Sequence, residues 1–173
     1  MSDLYAKIDS SSLLMFLFYP RRQHSKPPDG AFDLAVPVEK DLNIVCRAYS
    51  GSEDGPWVLY FHGNGEIVSD YDGIAPLYTK KGLNLLVADY RGYGASDGRP
   101  TFKAMISDAV KIFNTVRDQV PGTNNSNSWY VMGRSLGSTN KPRTRSSATI
   151  FTRFISYFPP LNSKLLFYIH KKS

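Results

Sequence analysis

Three short apolar runs, at residues 57–61, 85–90 and 129–132, constrain this chain more than any other feature. The first is continuous rather than alternating, the pattern of a strand buried on both faces of a parallel sheet, and the second, broken only by Asp89, and the short third read as further strands of that sheet. Between the first two, residues 69–81 read as a helix stopped by Gly82. Between the second and third, Phe102, Met105, Ile106, Ala109, Val110, Phe113 and Val116 recur at helical spacing and form one apolar stripe. Strand–helix–strand–helix–strand specifies an α/β fold with a mostly parallel sheet and right-handed crossovers. Ahead of it, residues 33–38 and 42–49 read as antiparallel strands leading into that sheet, with Leu42, Ile44, Cys46 and Ala48 alternating. A turn at Pro27-Pro28-Asp29-Gly30 precedes them.

A chain of 173 residues supports one domain with a real core and is short for two. The lone Cys46 cannot close an intrachain disulfide, and no Cys/His cluster has metal-ligand spacing, so neither metal nor cofactor is expected. A reducing, cytoplasmic setting fits this usage. The apolar run at 13–19 falls well short of the roughly 20 residues of a membrane span. Asp3 and Asp9 beside Lys7 are unlike the basic start of a signal peptide, so this run is expected to be a helix packed on the body. The formal net charge of +6 is unevenly placed. Seven basic residues and no acidic ones lie in residues 141–173, which leaves residues 1–140 close to neutral.

The chemistry is concentrated in Gly133-Arg134-Ser135-Leu136-Gly137, a G-x-S-x-G pentapeptide that follows the third apolar run directly. Alone, the pattern is weak. After a strand, it has the form of a nucleophile elbow, with Ser135 on a strained strand-to-helix turn and Gly133 and Gly137 where side chains would collide. His62-Gly63-Asn64-Gly65 ends the first apolar run, at the same carboxyl edge of the sheet, where open α/β sheets place their sites. Acyl transfer requires two N–H donors aimed at the developing oxyanion. Leu136 N–H is one candidate, and the N–H of Asn64 or of an adjacent glycine is the other.

Phe61-His62-Gly63-Asn64-Gly65-Glu66, Asp89-Tyr90-Arg91-Gly92-Tyr93-Gly94-Ala95-Ser96 and Gly133-Arg134-Ser135-Leu136-Gly137-Ser138 resemble the α/β-hydrolase superfamily. The similarity is to its serine aminopeptidase-like or monoacylglycerol-lipase-like branch, over residues 10–140. The resemblance implies an eight-stranded sheet, a Ser135 nucleophile, a structural role for His62, and a carboxylate and a histidine that follow the serine. It also implies hydrolysis of a small-molecule ester, thioester or amide without a cofactor. The chain departs from the pattern after the elbow. No Asp or Glu follows Ser135, and the one later histidine, His170, reads as a tail residue. Glu66, Asp89 and Asp97 lie on other loops, where hydrogen bonding within the loop is their expected work.

The expectation is therefore a partial α/β-hydrolase fold in residues 1–140, with the C-terminal strands missing and a divergent basic tail in 141–173. Three readings of that tail stand: sequence unrelated to the domain, a basic amphipathic element on an anionic membrane surface, or a divergent element completing the sheet. Ile150, Phe151, Phe154, Ile155 and Phe158 show helical spacing within it. The abrupt change in charge favours the first reading. Without later strands, the strand leading to Ser135 is expected to be an edge with unpaired backbone groups. Three functional classes follow: a serine hydrolase, a hydrolase-like fragment without turnover that binds a ligand or partner or has no function, and a membrane-surface or nucleic-acid binder working through the tail. Nucleic acid is not an expected partner, because the tail lacks an aromatic–basic platform or a groove-reading helix.

Overall fold

The computed structural model describes residue 9 and residues 14–119, 128–139 and 149–150. Its centre is a six-stranded sheet in the order β1-β2-β4-β3-β5-β6, formed by β1 (Ala31–Glu39), β2 (Leu42–Tyr49), β3 (Trp57–Phe61), β4 (Asn84–Ala88), β5 (Trp129–Gly133) and β6 (Thr149–Ile150). β1 and β2 are an antiparallel hairpin closed by Lys40 and Asp41, and β2 lies antiparallel on β4. β4, β3, β5 and β6 are parallel. Every residue of β3 and β4 is buried, the apolar ones as strands covered on both faces and Asn84 with its amide bonded to the backbone of Gly51, Ser52 and Gly55. Pro37 sits on the outermost strand, where a missing N–H leaves no ladder bond unmade, and the register shifts between Pro37 and Glu39.

Two apolar layers clothe the sheet. On one face Leu59, Phe61, Leu86, Ala88 and Val131 pack against Met105, Ala109, Ile112, Phe113 and Val116. These come from the long helix α3 (Phe102–Gln119). On the other, Val58, Tyr60, Leu85 and Val87 meet Val68, Tyr71, Ala75 and Tyr78. Helix α3 starts well because its orphan N–H groups find acceptors. Thr101 Oγ1 accepts from Ala104 N–H at 3.0 Å, and the Asp9 carboxylate accepts from Phe102 N–H at 2.8 Å and Lys103 N–H at 3.0 Å.

The expected helix at 69–81 is corrected. It is two short pieces, a 3₁₀ turn (Val68–Tyr71) and α2 (Pro76–Thr79). Pro76 has no N–H to offer the preceding turn, so a continuous helix must restart there, with Pro76 in its first turn. The run at 85–90 also ends earlier than expected, at Ala88, because the Asp89 side chain turns inward to His62. The N-terminal run supplies one helical turn, α1 (Leu14–Leu17), followed by buried Phe18, whose ring lies 5.1 Å from that of Phe102.

The bare-edge expectation for β5 is corrected as well. β6 pairs with it through Tyr130↔Thr149 and Val131↔Ile150, so part of the basic segment adds to the sheet. Ile150 is thus extended rather than the start of a helix, and Phe151, Phe154, Ile155 and Phe158 lie outside the described residues. His170 lies outside them too. Among the described residues no helix is long and apolar enough to cross a membrane.

Candidate active site

The carboxyl ends of β3 and β5 are hydrogen-bonded neighbours, with Phe61 opposite Gly133. Everything that follows those two residues is therefore forced together. β5 runs into Arg134 and then Ser135, whose φ of 51° is left-handed, a conformation a non-glycine residue adopts only under strain. A 3₁₀ helix (Ser135–Thr139) begins at the serine. Ser135 is exposed, Leu136 packs against the core, and Gly137 is buried. A methyl group at Gly137 would stand 2.1 Å from Phe61 O and 2.8 Å from His62 O. Only glycine lets the serine turn lie this close to the 62–66 loop. Arg134 N–H completes the junction with a 3.1 Å bond to Phe61 O.

The loop at 62–66 is held from several directions. Gly63 N–H donates to Glu66 Oε2 at 2.8 Å, and Glu66 N–H returns a bond to Gly63 O at 3.2 Å. Gly65 turns the loop at φ 78°. Asn64 N–H, between them, has no acceptor among the described residues. The Asn64 side chain is fully engaged instead. Its Oδ1 accepts from Tyr19 N–H at 3.0 Å and from the Tyr93 hydroxyl at 2.6 Å, and its Nδ2 donates to Leu17 O at 2.7 Å. The segment after α1 is thereby strapped across the loop. Arg21 and Arg22 extend the strap to Asp70, Gly94, Ser96 and Gly98.

His62 is fully buried beneath this loop. Its Nδ1 lies 2.8 Å from Gly63 O and its Nε2 3.1 Å from Asp89 Oδ1. A carbonyl oxygen only accepts, so in that contact Nδ1 is the donor, and Nε2 is turned to the Asp89 carboxylate. Asp89 also takes Val68 N–H at 2.9 Å, and the Tyr90 hydroxyl donates to His62 O at 2.7 Å. Gly94 is what admits Asp89 here, since a methyl there would meet Asp89 Oδ2 at 2.1 Å. Burial raises the Tyr90 and Tyr71 hydroxyls well above the ordinary tyrosine value, and Tyr93 is pushed up to about 12. All three remain neutral hydroxyls near neutral pH. Burial likewise raises the Cys46 thiol, helped by the nearby Asp89 and Asp33 carboxylates.

The structure thus brings Ser135, Leu136 and Asn64 to one edge of the sheet, with Gly133 ending β5 and His62, Gly63, Gly65 and Gly137 in the segments just beyond the strand ends. Glu66 and Asp89 bond within and between loops, and Asp97 accepts from Asn43 N–H of β2. Four features were not read from the sequence: the His62–Asp89 pair, the Glu66–Arg134 ion pair, the Tyr93–Asn64 bond and the strap. Each joins residues 27 or more positions apart, and no local pattern encodes such a pairing. Among the described residues no His/Cys/Asp/Glu group is arranged to hold a metal.

A parallel sheet with a strained serine turn after one strand and a glycine loop after its neighbour defines the α/β-hydrolase fold. A profile of the family described as serine aminopeptidase, S33, matches residues 54–141. The chain belongs to that family, within the α/β-hydrolases. Among curated relatives, it is 34% identical over 141 residues to the lysophosphatidylserine lipase ABHD12 of Rattus norvegicus. That match covers 61% of this chain and 34% of the lipase. It is 38% identical over 66 residues to the multifunctional-autoprocessing repeats-in-toxin of Vibrio cholerae, covering 38% of this chain and 1% of the toxin. Among solved structures, the esterase Pf2001 of Pyrococcus furiosus superposes with a TM-score of 0.55 at 23% identity, over 70% of this chain and 50% of the esterase. The chain therefore spans about half of that esterase and about a third or less of those curated relatives.

Proposed function

We propose that this chain carries the nucleophile and oxyanion-binding half of a serine hydrolase acting on a carboxylic ester, thioester or amide. The observation that carries the reading is the left-handed Ser135 packed through Gly137 against the loop that presents Asn64 N–H. Ser135 Oγ would attack the acyl carbon, and its proton would pass to a base. The carbonyl oxygen, now anionic, would accept from Leu136 N–H and Asn64 N–H. Collapse of the tetrahedral intermediate would expel the alcohol, thiol or amine and leave an acyl-Ser135, which water then hydrolyses.

Neither described histidine suits the part of base. His62 commits both ring nitrogens to Gly63 and Asp89, and His24 lies beside Asp33 at 3.9 Å. On this reading residues 1–140 carry the site and residues 141–173 are a basic extension. Lipase and esterase names among the relatives favour an ester over an amide. A fluorophosphonate probe tests the proposal on the full chain. Covalent labelling that is lost in Ser135→Ala is the expected result. A folded wild type that stays unlabelled sinks the hydrolase reading for this chain and favours a binding domain without turnover.

A further inference from the structure

We infer that Glu66 and Arg134 are a positioning pair that fixes the spacing between the two oxyanion donors, Asn64 N–H and Leu136 N–H. The inference rests on the reading of Ser135 as nucleophile. Those donors come from separate turns, one after β3 and one after β5, and the oxyanion must reach both. Backbone packing at Gly137 sets a minimum approach of the turns. A second restraint has to stop them from parting.

The Glu66 side chain supplies it. Its Oε1 takes the Arg134 guanidinium in an ion pair, while its Oε2 takes Gly63 N–H at 2.8 Å and the Tyr71 hydroxyl at 2.8 Å. Arg134 is the residue immediately before Ser135, and its backbone N–H is already anchored on Phe61 O. One carboxylate therefore grips the residue before the nucleophile and the residue before Asn64. It also sorts the loop donors. Gly63 N–H goes to Glu66, and the next donor along, Asn64 N–H, bonds to no acceptor among the described residues.

Charge is the second part of the argument. A carboxylate bonded one peptide unit from an oxyanion donor opposes the negative charge that develops there. The Arg134 guanidinium offsets it. Removing the arginine alone should then be worse than removing both charges, an ordering that loss of packing would not produce.

The experiment compares wild type, Arg134→Met, Arg134→Lys and the double variant Arg134→Met/Glu66→Gln in the full chain. It reads the second-order rate of fluorophosphonate labelling and, by NMR, amide hydrogen exchange at Gly63. Loss of a whole oxyanion donor lowers rates by roughly 100-fold or more, so displacing one by loosening its turn should cost about tenfold in Arg134→Met. Arg134→Lys should recover most of that loss, the double variant should label faster than Arg134→Met, and Gly63 exchange should quicken in Arg134→Met. Arg134→Gln, a donor without charge, carries the same test if Arg134→Met does not fold. Labelling of Arg134→Met at the wild-type rate, or unchanged Gly63 exchange, overturns the inference. A wild type that is not labelled, with Gly63 exchange still quickened by Arg134→Met, overturns the hydrolase reading and supports the coupling of the two turns.

Discussion

Gly137→Ala isolates the contact on which the site is built. The new methyl would lie 2.1 Å from Phe61 O, 2.6 Å from Phe61 C and 2.8 Å from His62 O. An ordinary carbon–oxygen contact is about 3.3 Å, so the turn must withdraw by about 1 Å. All three neighbours are backbone atoms of the strand end, so no side chain can rotate away to relieve the clash. Overpacking of this kind costs about 1–3 kcal/mol. The 3.1 Å bond from Arg134 N–H to Phe61 O would stretch and forfeit about 1 kcal/mol more. Reduced freedom of alanine in the unfolded chain returns about 0.5 kcal/mol. The net expectation is a loss of about 2.5 kcal/mol, large against the roughly 5–15 kcal/mol of a typical domain. Urea unfolding followed by circular dichroism measures it, with Gly73→Ala as the control, since a methyl at Gly73 meets nothing within 4 Å. The control should be neutral or slightly stabilising. A Gly137→Ala chain that unfolds within about 1 kcal/mol of wild type, less than half of the expected loss, would refute the close approach.

Ser135→Gly should abolish fluorophosphonate labelling yet unfold at higher urea, by up to about 1 kcal/mol, because the φ of 51° is no strain for glycine; a clear destabilisation would show that the turn is not strained. Asp9→Ala should lower stability by about 1 kcal/mol through loss of the acceptor for Phe102 and Lys103 N–H, and Asp9→Asn should keep most of it. Equal unfolding midpoints for all three chains would remove Asp9 as a cap. The raised hydroxyls of Tyr71 and Tyr90, with Tyr78 and Tyr93 pushed up to about 12, favour the fold as long as they stay neutral. Unfolded tyrosine titrates near 10, so this contribution is whole below pH about 10 and is lost as pH rises through the folded values. Urea midpoints should hold to about pH 10 and then fall, with tyrosinate absorbance rising late in the folded protein; these tyrosines titrating near 10 while the protein stays folded would refute it.

Strands were legible where one physical requirement ruled the sequence. β2 and β3 begin and end where burial alone places them. Helix α3 was legible in length but not in rotation. Its apolar stripe suggested that Ile106 and Val110 face inward, whereas they are half-buried, and Ala104, Asp108 and Ile112 are buried. Arg91 accounts for the difference at Asp108. Its guanidinium donates to both carboxylate oxygens, at 2.6 and 2.8 Å, and to Glu39 at 2.7 Å. A carboxylate that satisfies an arginine can be buried, and a pattern of apolar residues cannot register that. Arg47 shows the same limit. It sits in an apolar-looking strand, fully buried, because Asp33 and Asp72 both accept from it.

The candidate site divides along the same line. Each turn is a continuous segment whose glycines and serine announce its backbone shape, so both turns could be read from the chain. What holds them in register is non-local. The partner of Arg134 lies 68 positions away and that of His62 lies 27 away. Those partners decide chemistry as well as architecture. The resemblance implies a structural His62, and the bonds from its two buried ring nitrogens supply the physical reason. With His62 locked to Gly63 and Asp89, neither described histidine suits the base that the proposed function requires, and reactivity of the serine becomes the decisive measurement. Labelling that survives His62→Gln would agree with a structural His62. Labelling that vanishes, in a variant whose urea midpoint and Gly63 exchange are unchanged, would return His62 to the reaction and overturn the assignment made from its hydrogen bonds.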